Sequence, residues 1–368
     1  LKAREAPEPP VLLEARGLDI GFKGVSGRRI LEGVNLSLPS GRLVCLIGPN
    51  GSGKSSLLNT LGGLSEPLGG RIMVAGRDLA RLSARERARL VSLVLPESPR
   101  PAWMRGRELV GLGRQPHTGF SGRLGPEDRR AVDEAIQLAG AGDLAERTFA
   151  ELSDGERQRL LMARAIAQDC PILIMDEPTM YLDAPARVQA LRLLKRLCRQ
   201  RGRACVVALH EVDLALDWAD ELWIAQSRDR RLVRGLPEEL ALRGDIGAAY
   251  GQAPQDLLRA RKGMAPMEAL FPPLRDDATR GSAALSGDGP AAFWTRRLLL
   301  RLGFSLDAPD ARLRIDLVES AESPAWRLSG PGATGSAARE GSGLASLARA
   351  LAELGDGLAD TSAFSLTS

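Results

Sequence analysis

The stretch that decides the fold is GPNGSGKSS, Gly48–Ser56, which completes the pattern G-x-x-x-x-G-K-[ST]. Gly48, Gly51 and Gly53 permit backbone angles closed to other residues, so successive N–H groups can turn inward around a phosphate. Lys54 adds a point charge for the β- and γ-phosphates, and Ser55 a hydroxyl for Mg²⁺. The helix expected to open near Lys54 adds its positive dipole end. Pro49, Asn50, Ser52 and Ser56 complete the candidate loop. The flanks stand in the required order: RLVCLIG, Arg42–Gly48, reads as a buried strand, and SSLLNTLGGL behind it reads as a helix with one apolar face. The chain holds only five lysines, so the match is not a by-product of a lysine-rich composition. It predicts a nucleoside triphosphate site.

A second constellation centres on Asp176, 122 positions beyond Lys54. PILIMDEPT, Pro171–Thr179, is an apolar strand ending in two carboxylates. At the C-terminal end of a strand Asp176 can hold Mg²⁺ through water, while Glu177 faces the γ-phosphate as a general base for the attacking water. Upstream, LSDGERQRLLMARAIAQ, Leu152–Gln168, places Ser153 and Gly155 at the start of a basic amphipathic helix. Downstream, Ala208-Leu209-His210 ends another apolar strand, and His210 is one of two histidines in the chain. The other, His117 in GRQPHTG, reads as structural.

Composition bounds the rest. The 368 residues suffice for two domains, and 44% hydrophobic content supplies each with a core. No apolar run approaches the ~18–20 residues of a membrane span, and Leu1–Pro10 lacks the apolar centre of a signal peptide. The expectation is a soluble, cytoplasmic chain. Cys45, Cys170, Cys198 and Cys205 show neither paired nor zinc-ligand spacing and read as reduced structural residues. The 50 basic and 46 acidic residues are interspersed, leaving a net charge of +4 that gives no argument for nucleic acid.

Along the chain, apolar and amphipathic runs alternate from Val11 to about Tyr250, the pattern of an α/β domain with a largely parallel sheet. Buried strands fit LVCLIG, RIMVAG, VSLVL, PILIMD, ACVVALH and ELWIAQ. Between about residues 105 and 168 the strands stop and helix-like stretches follow, such as PEDRRAVDEAIQLAG, so a helical insertion is expected there. Residues 251–289 turn rich in Pro, Gly, Ala and Ser and read as a linker. Residues 290–368 read as a small α+β domain. AAFWTRRLLLRLG and LASLARALAEL are its expected helices, and RLRIDLVES and AWRLSG its expected strands.

With these residues in order, the segment from Val11 to about Tyr250 resembles the ATP-binding subunit of ABC transporters. Walker A, signature, Walker B, D-loop and switch histidine follow one another over roughly two-thirds of the chain. The resemblance implies a P-loop NTPase cassette that binds ATP and Mg²⁺ and hydrolyses ATP. Phe22 stands where the family stacks an aromatic ring on adenine; a core position in the first strand pair is its other reading. Ser153, Asp154, Gly155 and Glu156 match the signature that meets the γ-phosphate held by the opposite subunit, so the resemblance implies an ATP-sandwich homodimer. Leu182 and Asp183 match the D-loop, and His210 the histidine that bonds the γ-phosphate. Two positions depart from the common pattern. The signature reads LSDGE rather than LSGGQ, putting the Asp154 carboxylate close to where phosphate must dock. The Q-loop position holds Glu97 rather than Gln, where a carboxylate can bind Mg²⁺ or orient water.

Those departures, with RGRELVGLGRQPHTGF and ALHEVDLALDWADELWI, resemble the iron-chelate and cobalamin branch of importers, leaning to iron-siderophore or haem. The resemblance implies a transmembrane permease as partner, an external substrate-binding protein acting indirectly, no nucleic acid, and a peripheral position on the cytoplasmic face of the membrane. Two other readings stay open. One is a soluble ABC ATPase acting on DNA or ribosomes, although the spacing from Lys54 to Asp176 leaves no room for a long coiled coil and the chain carries one cassette. The other is a nucleotide-sensing regulator with the C-terminal domain as its output.

Overall fold

The computed structural model describes residues 9–22, 28–96, 102–119, 122–251, 281–306, 311, 313–318, 324–330 and 339–355. The chain divides into two compact units, Leu1–Val233 and Arg234–Ser368.

In the first unit, β3 (Leu43–Ile47), β7 (Ile172–Asp176) and β8 (Ala204–Ala208) are buried at every residue. Continuous apolar runs of this kind belong to strands covered on both faces of a parallel sheet. Together with β6 (Val91–Val94), β9 (Glu221–Gln226) and the edge strand β10 (Arg231–Gly235), they form a six-stranded sheet in the order β10-β9-β3-β8-β7-β6. The pairings β3 with β8 and β9, β8 with β7, and β7 with β6 are all parallel. The ends of β3, β7 and β8 therefore open on one edge, where ligands of such sheets bind.

RIMVAG does not join that sheet. Its residues fall in β4 (Gly69–Val74), which pairs antiparallel with β1 (Val11–Gly21) in a separate sheet completed by β2 (Arg29–Pro39) and β5 (Arg77–Asp78). The reason is visible in its burial. Ile72 and Val74 face the core while Arg71 is exposed, so this strand has one covered face rather than two. The helix α1 (Lys54–Leu61) packs into one core with both sheets. Leu57, Leu58 and Leu61 meet Leu18, Ile20 and Val74 from the antiparallel sheet and Val44, Leu46 and Ile174 from the parallel one. A fully buried leucine contributes about 2–3 kcal/mol, and three on one helix fix the start of α1 against both sheets.

The helical insertion is present as α3 (Gly106–Gly111), α4 (Pro126–Leu138) and α5 (Asp154–Ala167), with α2 (Ala84–Leu90) preceding β6. Among its described residues the only bridge of strand type joins Arg105 to Thr148. His117 Nε2 lies 2.8 Å from the Gln168 carbonyl oxygen, so that histidine is structural as expected. The helix α6 (Ala184–Arg201) starts at Asp183, which accepts from the Ala186 N–H at 2.8 Å, and ends at Gly202 with φ 62°. A short α7 (Val212–Trp218) leads into β9.

The second unit holds α8 (Pro237–Leu242), α9 (Asp245–Tyr250), β11 (Gly281–Ser286), α10 (Gly289–Arg301), β12 (Phe304–Leu306), β13 (Leu313–Val318), β14 (Ala325–Ser329), β15 (Arg339–Ser342) and α11 (Leu344–Gly355). Its sheet runs β12-β11-β13-β14-β15, parallel across the first three strands and antiparallel across the last three. Two boundaries differ from the sequence expectation. β11 lies inside the stretch expected as linker, because GSAALS is too small and polar to announce a strand until its neighbours pair with it. The division between units falls after Val233 rather than near Tyr250. α8 buries Glu238 at 1% exposure, and Arg301 of α10 holds that carboxylate with two hydrogen bonds of 2.7 and 2.8 Å. Arg301 is thus a buried partner of Glu238.

Candidate functional site

The phosphate loop leaves β3 at Gly48 with φ 151°. A Cβ there would stand 2.6 Å from the Ala225 carbonyl oxygen and 2.7 Å from Ser52 Oγ, so the loop passes β9 at a distance only glycine allows. Gly51 and Gly53, with φ 76° and 96°, turn the chain into α1. Lys54 folds back over the loop, donating from Nζ to the Gly48 carbonyl at 2.8 Å and the Pro49 carbonyl at 3.3 Å. Burial holds its pKa below the ordinary value, and the Glu177 and Asp176 carboxylates oppose that shift. Ser52 Oγ is buried with no partner, a polar atom awaiting a ligand.

Asp176 ends β7 beside this loop, 2% exposed. Burial raises its pKa, and a hydrogen bond from the Ser55 hydroxyl works in the opposite direction. Its Oδ1 is buried without a partner. No cluster of three or more His, Cys, Asp or Glu side chains able to hold a metal occurs among the described residues. One carboxylate with an orphaned oxygen beside one hydroxyl is the kind of set that suits a hard cation carrying waters and substrate phosphates.

Glu177 follows in the left-handed region at φ 54°, unusual for a residue with a Cβ and the kind of strain that marks functional positions. Its N–H donates to the Ala208 carbonyl at 3.2 Å, which aligns the ends of β7 and β8. His210, two residues past β8, places Nε2 2.5 Å from Glu177 Oε1. The structure therefore brings together the residues assigned as base and as phosphate sensor.

Lys54, Ser55 and Glu177 border a cleft of about 670 Å³ whose lining also includes Phe22, Asn50, Gly51, Gly53 and Ser56, while Gly48, Pro49, Ser52, Asp176 and His210 are not among its lining residues. Phe22 is 63% exposed on the cleft, which excludes the core reading. Arg28, Arg29, Ile30, Ser227, Arg228 and Arg230 complete the lining and were not singled out in the sequence. The one signal for them was charge, in GRR at 27–29 and SRDRR at 227–231, which reads equally as a solvated turn.

The signature and D-loop residues do not line this cleft. Ser153 caps α5, its hydroxyl accepting from the Glu156 N–H, while the Glu156 carboxylate accepts from the Ser153 N–H at 2.8 Å and from its hydroxyl at 2.9 Å. Glu156 also pairs with Arg147 at 2.8 Å. Asp154 is held by Arg157 at 3.1 Å, one turn along the helix, so its charge meets a guanidinium before it meets a phosphate. Gly155 packs so tightly on the D-loop that a Cβ would lie 2.9 Å from the Tyr181 carbonyl oxygen. Glu97 lies outside the described residues. All four cysteines are buried and unbridged, and burial pushes the thiols of Cys45 and Cys170 up to about 12.

A family model described as ABC transporter matches residues 31–180, and one described as iron ABC transporter C-terminal domain matches residues 280–351. The chain is 34% identical over 222 residues to a ferric enterobactin transport ATP-binding protein of Escherichia coli, covering 60% of this chain and 82% of that one. It is 40% identical over 235 residues to a hemin import ATP-binding protein of Gloeobacter violaceus, covering 62% and 82%. It is 38% identical over 239 residues to a cobalamin import ATP-binding protein of Halobacterium salinarum, covering 65% of this chain and 58% of that longer relative. Among solved structures, the ATP-binding cassette MJ0796, dimeric and bound to ADP and Pi, matches with a TM-score of 0.54 at 26% identity, covering 59% of this chain and 95% of that one.

Proposed function

The chain belongs to the family of ABC transporter ATP-binding proteins, and from that membership we propose that it is the ATPase subunit of an importer for chelated iron, as siderophore or haem, or for cobalamin. The observation that carries the cargo reading is the joining, in one chain, of this cassette to a domain matching the iron ABC transporter C-terminal family. Relatives named for ferric enterobactin, hemin and cobalamin transport support the same range.

In this reading the loop N–H groups, Lys54 and the start of α1 bind the β- and γ-phosphates of ATP. Ser55 and the orphaned Asp176 Oδ1 hold Mg²⁺, which when bound neutralises phosphate charge. Glu177 takes the proton of the attacking water, and His210, bonded to Glu177, orients that carboxylate. Phe22 stacks on the base. Ser153 and Gly155 sit outside the cleft of their own chain, so they meet the nucleotide bound by a second copy, with Asp183 beside them. Glu97 orients water or Mg²⁺, so Glu97→Gln is expected to be tolerated and Glu97→Ala to slow turnover.

No helix among the described residues is long and apolar enough to cross a membrane. In this reading a transmembrane permease supplies the path, with the cassette dimer at its cytoplasmic face and an external binding protein delivering cargo; nucleic acid has no part. Affinity purification of the tagged full-length chain from cell membranes, followed by ATPase assay of the assembly obtained, tests the reading. The expected result is co-purification and ATPase stimulation by a ferric siderophore, haem or cobalamin on its binding protein. A chain that never associates with an integral membrane protein contradicts it.

A further inference from the structure

The cleft is more basic than its catalytic groups require. Five cationic side chains line it, Arg28, Arg29, Lys54, Arg228 and Arg230, against the single carboxylate of Glu177. Three of the five are already engaged. Lys54 donates to loop carbonyls, Arg29 stands 3.4 Å from Asp19, and Arg230 bonds Glu32 at 2.8 Å. The guanidiniums of Arg28 and Arg228 have no side-chain partner among the described residues.

Sheet register fixes where Arg228 stands. β9 runs parallel to β3 with Ile224 opposite Ile47, so the turn at 227–230 leaves the same sheet edge as the phosphate loop and lies beside it. The close approach of Gly48 to Ala225 confirms that neighbourhood. The catalytic carboxylates lie on the other flank, on β7, with β8 between β7 and β3. The turn is also clamped. Arg230 takes φ 52°, its carbonyl accepts from the Glu32 N–H at 2.8 Å, and its side chain holds the Glu32 carboxylate. Arg28 stands just before β2, the strand that carries Glu32, and its carbonyl accepts from the Phe22 N–H at 3.1 Å, which ties it to the residue at the base end.

We propose that Arg28 and Arg228 form a pair of nucleotide-positioning residues that grip the ribose and α-phosphate portion between Phe22 and the phosphate loop. The inference rests on the nucleotide site described above. A planar guanidinium on a pre-set turn suits a phosphate oxygen, and a water-filled cleft lined by one sign of charge concentrates a polyanion. Because the α-phosphate and ribose are common to ATP, ADP and GTP, the grip acts on all three alike. It takes no part in cleaving the γ-phosphate bond.

The test uses the full-length chain with Mg²⁺ and measures dissociation constants for ATP, ADP and GTP in Arg28→Ala, Arg228→Ala, the double variant and Arg228→Lys. The expected result is a loss on the order of 10-fold in the double variant, equal for the three nucleotides, with partial recovery in Arg228→Lys. KM for ATP rises by the same factor and kcat moves little, the mark of binding lost equally from ground and transition states. Unchanged dissociation constants overturn the proposal. So does a loss confined to ATP, which assigns the arginines to the γ-phosphate, or a changed ATP-to-GTP ratio, which assigns them to the base. Binding by the unaltered chain reports separately on the site itself.

Discussion

Asp176 shows what a residue costs when it is kept for a ligand. Its carboxyl is buried, its Oδ1 has no partner, and burial raises its pKa. A carboxyl whose pKa is higher folded than unfolded loses stability as pH climbs from the unfolded value through the folded one. Asp176→Asn is therefore expected to raise the melting temperature of the nucleotide-free protein at pH 7–8, by about 2 °C or more, and by less near pH 4. The same variant should lose Mg²⁺-dependent ATP hydrolysis. Melting scans at the two pH values check the first part, and a variant less stable at neutral pH contradicts it. Gly48 is constrained from the opposite side. A methyl at Gly48 meets the Ala225 carbonyl at 2.6 Å and Ser52 Oγ at 2.7 Å, so Gly48→Ala should displace the loop and weaken ATP binding by at least about 10-fold, measurable by titration.

At the scale of elements, the capped start of α5 and the D-loop act as one piece, because Gly155 lets the helix rest on the Tyr181 carbonyl. Gly155→Ala should leave monomer ATP binding intact and impair ATP-dependent dimer formation, a contrast that light scattering with and without ATP resolves. The buried pair between α8 and α10 makes a second test. Arg301→Met leaves Glu238 charged and unpaired, a change costing about 3–5 kcal/mol, while pairing it with Glu238→Leu should restore much of the loss. Equal stability of the single and double variants would show that the pair is not buried in solution. The contrast between these two regions explains what was legible in sequence. The phosphate loop, the Asp176-Glu177 strand end and His210 are local patterns whose residue types are dictated by chemistry, so they could be read directly. The cleft arginines, the antiparallel home of RIMVAG, the strand GSAALS and the Glu238–Arg301 bond each depend on a partner distant in sequence. Periodicity carries no record of that partner.

For the whole molecule, every described residue lining the cleft lies at or before Arg230. A chain ended at residue 280 should still bind ATP. It strips Glu238 of Arg301, however, and is expected to melt lower than the full chain and to gain solubility from Glu238→Gln. Complete loss of nucleotide binding with the first unit folded would show that the C-terminal unit takes part in the site. In the proposed function, Glu177 catalyses ATP hydrolysis and the cassette couples it to opening of a dimer. Glu177→Gln keeps the side chain's shape and removes its basicity, so turnover should fall by roughly 10²-fold or more while ATP binding persists. The most direct measurement is ATPase rate and oligomeric state of this variant, side by side, in ATP and Mg²⁺. A stable ATP-bound dimer with negligible turnover is the predicted result, and near-normal turnover, or a chain that stays monomeric with ATP bound, would contradict it.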